Sequence, residues 1–177
     1  MIIDQITKWK IRTDYSLHDL TLIDGWLEFN YVQNPGMAMG IDFFSTPVIS
    51  AVAIAATIGI FIYILFNLDK ANIGYLICMG LILGGSLGNI SDRLFMGMIQ
   101  GYGSMLEGHV VDFIHFTLRI NDWPVFPYIF NVADIAISCS IITLLIFNKK
   151  LIPDDSKEKG DKQEASSKHD AAENPPV

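Results

Sequence analysis

Residues 128–147 read Tyr-Ile-Phe-Asn-Val-Ala-Asp-Ile-Ala-Ile-Ser-Cys-Ser-Ile-Ile-Thr-Leu-Leu-Ile-Phe, a stretch that is almost wholly apolar or small except for one acid, Asp134. A helix of about 20 such residues is long enough to cross the hydrocarbon core of a bilayer, so the stretch predicts a membrane span. A carboxylate placed in such a helix costs about 2.5–3.5 kcal/mol at the bilayer centre, which makes Asp134 a functional candidate whose partner should be named. The candidate partner is Asp112, a second lone acid in apolar sequence, His109-Val110-Val111-Asp112-Phe113. Two carboxylates sharing one proton can activate water for peptide hydrolysis.

Working outward, two more apolar blocks appear. Residues 48–66 run 19 residues without a charge, and residues 73–91 form another predicted span joined to it by the polar connection 67–72. Gly80, Gly84 and Gly88 recur every four residues in the second block. That spacing predicts close helix packing, with Gly80 and Gly84 read as packing positions only. At its end Asn89, Asp92 and Arg93 share one helical face, either as an interfacial anchor or as a polar floor for a site.

Composition agrees with a polytopic membrane protein. The 177 residues are 51% hydrophobic and only 18% charged, with a mean hydropathy of +0.37, against about 25% charged in soluble domains. The net charge of −7 owes much to a polar tail. No basic stripe or nucleic-acid motif is present. Cys78 and Cys139 lie in apolar sequence and read as buried thiols. No cleavable signal peptide is visible.

Between and before the spans the chain is mixed. Leu27-Glu28-Phe29-Asn30-Tyr31 alternates as a strand does, after an Asp24-Gly25 turn signal. Asn34-Pro35-Gly36-Met37-Ala38-Met39-Gly40 predicts a tight turn in which Asn34 offers its amide to other backbone. Residues 94–127 read as extramembrane or interfacial, with a greasy glycine-rich stretch at 97–108 that suits a lid. Trp123-Pro124-Val125-Phe126-Pro127 reads as interfacial aromatic sequence leading into the last helix. His109 and His115 flank Asp112, but no ligand spacing supports a metal. Asp4 and Lys8 stand four apart, and spacing alone favours a solvated helix-end pair. From Pro153 the sequence is polar and charged, a disordered tail. That tail region holds Lys149, Lys150, Lys157, Lys159, Lys162 and Lys168, half of the twelve Lys and Arg. The positive-inside rule therefore places the C-terminus in the cytoplasm and both acids at the outer face.

The chain resembles the lipoprotein signal peptidases (signal peptidase II), bacterial aspartyl peptidases of the inner membrane. The resemblance runs from Met1 to about Lys150. It rests on Asp4-Gln5-Ile6-Thr7-Lys8, on the Asn34 to Gly40 turn, on Gly88-Asn89-Ile90-Ser91-Asp92-Arg93, on Val110-Val111-Asp112-Phe113 and on Phe130-Asn131-Val132-Ala133-Asp134, in that order. It implies an all-α membrane protein, an antiparallel bundle of four transmembrane helices with a small strand-containing extracytoplasmic layer. The implied domain is residues 1–152, followed by a cytoplasmic tail, 153–177. The implied reaction removes signal peptides from diacylglyceryl-modified prolipoproteins, just before the lipidated cysteine, without metal or cofactor. Asp112 and Asp134 are then the catalytic dyad. Asn34, Gly36, Asn89, Arg93 and Asn131 match positions that hold substrate backbone or orient the dyad, and Asp4 and Lys8 match a supporting pair. The implied partners are prolipoprotein and membrane lipid, with a monomeric enzyme and no nucleic acid. Two departures stand out: a longer Arg93–Asp112 segment, and Met39 where an aromatic is common.

In the family the Asp-Gln-x-x-Lys segment closes a full first helix, whereas only three residues precede Asp4 here. The expectation is a first helix shortened by roughly 10–20 apolar residues. Two other readings compete. A proton-coupled carrier would place acids near the midplane and show an internal repeat, and a structural subunit would not gather polar clusters at one end of two helices.

Overall fold

In a computed structural model of the chain, residues 1–36 and 44–152 are described. Met37 to Gly40, including Met39, and the expected tail lie outside them.

The chain opens with helix α1 (Ile2–Thr13) and a 3-10 turn, Tyr15–Leu17, then the hairpin β1 (Asp19–Ile23) and β2 (Leu27–Asn34). Gly25 supplies the positive φ of +69° that the hairpin turn requires. Two long helices follow, α2 (Thr46–Phe66) and α3 (Ile73–Gln100). Strand β3 (Val110–Phe116) and a short hairpin, β4 (Arg119–Ile120) with β5 (Trp123–Pro124), lead to β6 (Ile129–Phe130). Helices α4 (Val132–Ile146) and α5 (Asn148–Leu151) close the described chain.

Among the described residues, α2 and α3 are the helices long and apolar enough to cross a membrane. Helix α2 is apolar all round and little covered by protein: Val52, Ile58, Phe61, Ile62 and Leu65 are exposed. An exposed surface of that kind suits lipid, not water. The sheet makes the molecule a mixed helix-and-strand protein, not the all-α one expected. Strands β1-β2-β3-β6 form one antiparallel sheet, and β4-β5 a separate ribbon. Ile129 and Phe130 belong to that sheet, so the last helix begins at Val132, later than the expected 128.

Strand β3 is the central piece. Val111 and Phe113 pack with Ile11 of α1 on one face, while Val110 and Asp112 are buried on the other. Burial on both faces explains why its sequence lacks the alternation that would have marked it. The β2–β3 register slips between Phe29 and Val32, a bulge directly opposite the approach to Asp112. Bulges of this kind bend a strand and re-aim its side chains.

Helix α3 continues two turns past Arg93, where loop was expected, and ends at Gly101 with φ +74°. Gly97 is therefore helical. A Cβ there would lie 2.9 Å from the Ser104 carbonyl oxygen of the segment folding back over it. That segment is tethered, with Gly103 N–H donating to Gly97 O, Gly108 N–H to Arg93 O and Ser50 Oγ to Leu106 O. The close approach between α3 and α4 falls at Gly85, and Gly88 takes Asp4 of α1 against it, so of the three spaced glycines it is Gly88, not Gly80 or Gly84, that makes the tight contact. A Cβ on Gly85 would meet Ala133 O at 2.8 Å, whereas one on Gly80 would meet nothing within 4 Å.

Candidate active site

The first turn of α4 orients Asp134. Asn131 is the N-cap in extended backbone. Its Oδ1 accepts from the Asp134 N–H at 3.1 Å, and Asp134 Oδ2 accepts from the Asn131 N–H at 3.1 Å. This reciprocal capping box, with Asp as its third member, satisfies two donors that a helix start leaves unpaired. A third, the Ala133 N–H, donates to Asp4 Oδ1 at 3.0 Å. The positive end of the α4 dipole thus faces two carboxylates.

Three asparagine amides surround the acids, and each has its orientation set by a partner of only one kind. The Gly36 N–H can only donate, so it takes Asn34 Oδ1 at 2.8 Å and turns Asn34 Nδ2 to Asp112 Oδ2 at 3.0 Å. Lys8 Nζ can only donate, so it takes Asn89 Oδ1 at 2.7 Å and turns Asn89 Nδ2 to Asp134 Oδ1 at 2.9 Å. The Asp134 N–H does the same for Asn131, whose Nδ2 reaches Asp112 Oδ1 at 2.7 Å and Asn89 Oδ1 at 3.1 Å. Asp112 and Asp134 are therefore joined through Asn131 and held by aimed N–H groups.

Beneath them lies a buried ion cluster. Lys8 Nζ stands 3.0 Å from Asp4 Oδ2 and 2.8 Å from Asp92 Oδ2, with all three side chains at most 2% exposed. Asp4 and Lys8 are not the solvated pair that spacing favoured: α3 and α4 cover the face they share. Gln5 Nε2 donates to Gly88 O at 2.9 Å and to Asp92 Oδ1 at 3.0 Å, and the Val111 N–H donates to Asp92 Oδ2 at 3.3 Å. Asp92 and Gln5 were not among the expected site residues. Their signals were the three-residue step from Asn89 and adjacency to Asp4, and neither reveals burial. Of the Asn89, Asp92 and Arg93 face, Asn89 and Asp92 join this cluster through Lys8, while Arg93 turns away from it to Pro35 O.

Burial raises the Asp112 carboxyl to about 6, with the nearby Asp134 charge acting the same way and the bonds from Asn34 and Asn131 and the Lys8 charge opposing it. Burial likewise pushes His109 down, helped by the Arg93 charge. A raised acid beside a second carboxylate suits acid–base work near neutral pH.

Arg93 and Gly36 stand at the rim. Arg93 Nη1 donates to Pro35 O at 3.3 Å, and a Cβ on Gly36, whose φ is +119°, would meet Ile49 at 2.5 Å. Arg93 and Asn89 also line a cavity of about 270 Å³ with Ile49, Ala53, Thr57 and Ile137, between α2, α3 and α4. On the other flank of α4, a cavity of about 440 Å³ opens beside Asp134. Cys139 lines it and is exposed, contrary to its reading as a buried thiol, while Cys78 is buried. His115 Nδ1 lies 2.7 Å from Asn30 Oδ1, and His109 packs on Tyr102. Among the described residues, no three His, Cys, Asp or Glu side chains group as metal ligands.

Comparison with known proteins gives one answer. The family model for signal peptidase (SPase) II matches residues 1–149. A lipoprotein signal peptidase of Porphyromonas gingivalis is 31% identical over 176 residues, covering 82% of this chain and 77% of the relative. One from Chlorobium phaeobacteroides is 34% identical over 157 residues, covering 83% and 89%. Among solved structures, a bacterial membrane enzyme determined in meso at 2.3 Å is similar with a TM-score of 0.62 and 27% identity, covering 84% of this chain and 82% of that one.

Proposed function

The chain belongs to the signal peptidase II family, and from that premise we propose how its residues perform the family's reaction. It is a membrane aspartic peptidase that removes signal peptides from prolipoproteins. The bond cut lies just before the diacylglyceryl-modified cysteine, and Asp112 and Asp134 form the catalytic pair.

One ionised carboxylate of the pair removes a proton from a water between them, and the water oxygen attacks the scissile carbonyl carbon. The protonated partner donates to the carbonyl oxygen as it gains charge. Collapse of the tetrahedral intermediate breaks the C–N bond, and the leaving nitrogen takes a proton from the pair. Asp112 suits the proton-holding role, being raised to about 6 by burial, although the titration belongs to the pair. Arg93, with the 270 Å³ cavity beside it, is assigned to peptide backbone preceding the cut. The supporting observation is the set of three asparagine amides whose N–H groups converge on these two carboxylates.

The carrier reading has no support: one acid lies in the first turn of α4 and the other on a strand. By the positive-inside rule, Lys149 and Lys150 after α4 put that end in the cytoplasm and the site at the outer face of the bacterial inner membrane. The enzyme is taken to be monomeric and multi-pass, with the tail from residue 153 on the cytoplasmic side.

The test is cleavage of a diacylated prolipoprotein in detergent by purified chain. Wild type should release the signal peptide, and Asp112→Asn and Asp134→Asn should each lose activity by at least about 100-fold, the lower end of what one general acid or base typically contributes. Near-normal turnover in either variant would overturn the dyad.

A further inference from the structure

Leu106 is unusual in its backbone. Its φ is +73°, in the left-handed region that Asn121 and Asp122 of the β4–β5 turn also occupy. Asn and Asp enter that region readily, whereas a bulky side chain stays there only when its surroundings hold it, and such positions cluster at functional sites. Contacts to two helices hold this one. Ser50 of α2 is fully buried, and the single hydrogen of its Oγ is shared between Thr46 O of its own helix and Leu106 O, both at 2.8 Å. Just beyond Leu106, the Gly108 N–H donates to Arg93 O of α3 at 3.0 Å. A Cβ on Gly108 would overlap the Asp92 carbonyl oxygen and stand 2.9 Å from Arg93 O, so this approach needs glycine. Residues 106–108 therefore bridge α2 to α3.

The two anchors belong to two walls of one cavity. Ser50 lies between Ile49 and Ala53, which line the 270 Å³ cavity from α2, and Arg93 lines it from α3. Helices in lipid have no hydrophobic drive to associate, so packing and hydrogen bonds between elements set their spacing. Thr57, the other buried hydroxyl of α2, turns back to Ala53 O of its own helix, whereas Ser50 reaches outside it. We propose that residues 106–108 are a brace that sets the separation of α2 and α3 at Arg93. Ser50 and Gly108 are then positioning residues that determine which side chains are accepted just before the cut. This rests on the assignment of that cavity to the peptide. The acids themselves are held by Asn34, Asn89 and Asn131, whose bonds do not pass through the brace. Loosening the brace therefore widens the cleft and leaves the chemical step in place.

The test measures kcat and KM for a diacylated prolipoprotein with small residues before the cut, and for versions in which one of the last few residues before the cut is phenylalanine. Wild type should discriminate against at least one version, and the ratio of the two kcat/KM values is the readout. Ser50→Ala and Gly108→Ala should each lower that ratio by at least about fivefold through KM, with kcat on the parent within about twofold of wild type. Thr143→Ala also removes a hydroxyl-to-carbonyl bond, 2.7 Å to Cys139 O, but no brace, and should leave the ratio unchanged. A ratio unmoved by Ser50→Ala in a protein of normal melting temperature overturns the proposal. An equal loss of kcat on every substrate also overturns it, since the brace would then be structural only. If Gly108→Ala fails to fold, Ser50→Ala decides. Ala53→Leu narrows the same cavity and separates the two readings. If it raises the ratio while the brace variants do nothing, only the brace is wrong; if it too does nothing, the peptide lies elsewhere and both fall. No cleavage by wild type would remove the peptidase reading itself.

Discussion

The side chain of Asn131 donates a 2.7 Å hydrogen bond to Asp112, and the same residue caps the helix whose third position is Asp134. Helix start and dyad geometry are thus one feature. The two roles separate by substitution. Asn131→Ser keeps a capping oxygen but loses the amide that reaches Asp112, so the melting temperature should stay close to wild type while kcat falls about 100-fold. Asn131→Ala should lose both, costing about 1 kcal/mol more in stability. Equal kcat for wild type and Asn131→Ser, measured on diacylated prolipoprotein, would refute the coupling.

Lys8 compensates two buried carboxylates and fixes the Asn89 amide. Lys8→Met leaves both acids without their cation, which typically costs about 3–5 kcal/mol. Thermal unfolding in detergent should show that loss. The double variant Lys8→Met, Asp92→Asn should recover part of the stability without recovering activity, because the Asn89 amide still lacks its orienting donor. Full recovery of both would mean that Lys8 acts only as a counter-ion.

Gly88 faces Asp4 so closely that a Cβ would stand 2.5 Å from Asp4 Oδ2. Gly88→Ala should therefore push the Asp4 carboxylate off Lys8, with an overpacking cost of about 1–3 kcal/mol. Gly80→Ala, where a Cβ meets nothing within 4 Å, should be neutral or slightly stabilising by helix propensity. Paired melting curves check the contrast.

The pH profile follows from Asp112, raised by burial to about 6. Between its unfolded value near 4 and about 6, the folded state binds the extra proton, so this group's contribution to stability falls as pH rises through that window. Activity that needs the shared proton should decline on the alkaline side, beginning near pH 6. The Asn34 bond favours the charged form and opposes the rise. Removing it in Asn34→Leu should therefore move the alkaline limb to higher pH. A limb that moves down or stays fixed in kcat/KM measurements would contradict the assignment.

Helix α2, strand β2 and the cap-to-acid step from Asn131 to Asp134 were legible because each depends on neighbours within a few residues. Asp4 and Lys8 were legible as a pair but not as a buried one. Spacing says which residues share a face, not what covers it, and Asp92 belongs to a helix that begins 65 residues after Lys8. Strand β3 was hidden by burial on both faces. Gly97 and Gly101 looked alike as loop residues, yet one lies inside α3 beneath a folded-back segment and the other ends it with a positive φ. Cys139 sits in apolar sequence yet is exposed, and apolarity does not distinguish a protein interior from a surface that meets a bilayer.

The Asp4 carboxylate accepts from the Ala133 N–H, 129 positions further along the chain. At ribosomal rates of 5–20 residues per second, on the order of ten seconds separate the synthesis of these two partners. Throughout that interval Asp4 and Lys8 of α1 lack α4, α3 is completed only in its later part, and Asp134 has not yet been made. On the proposed mechanism the nascent chain is inert until its last helix has been made and has closed on α1.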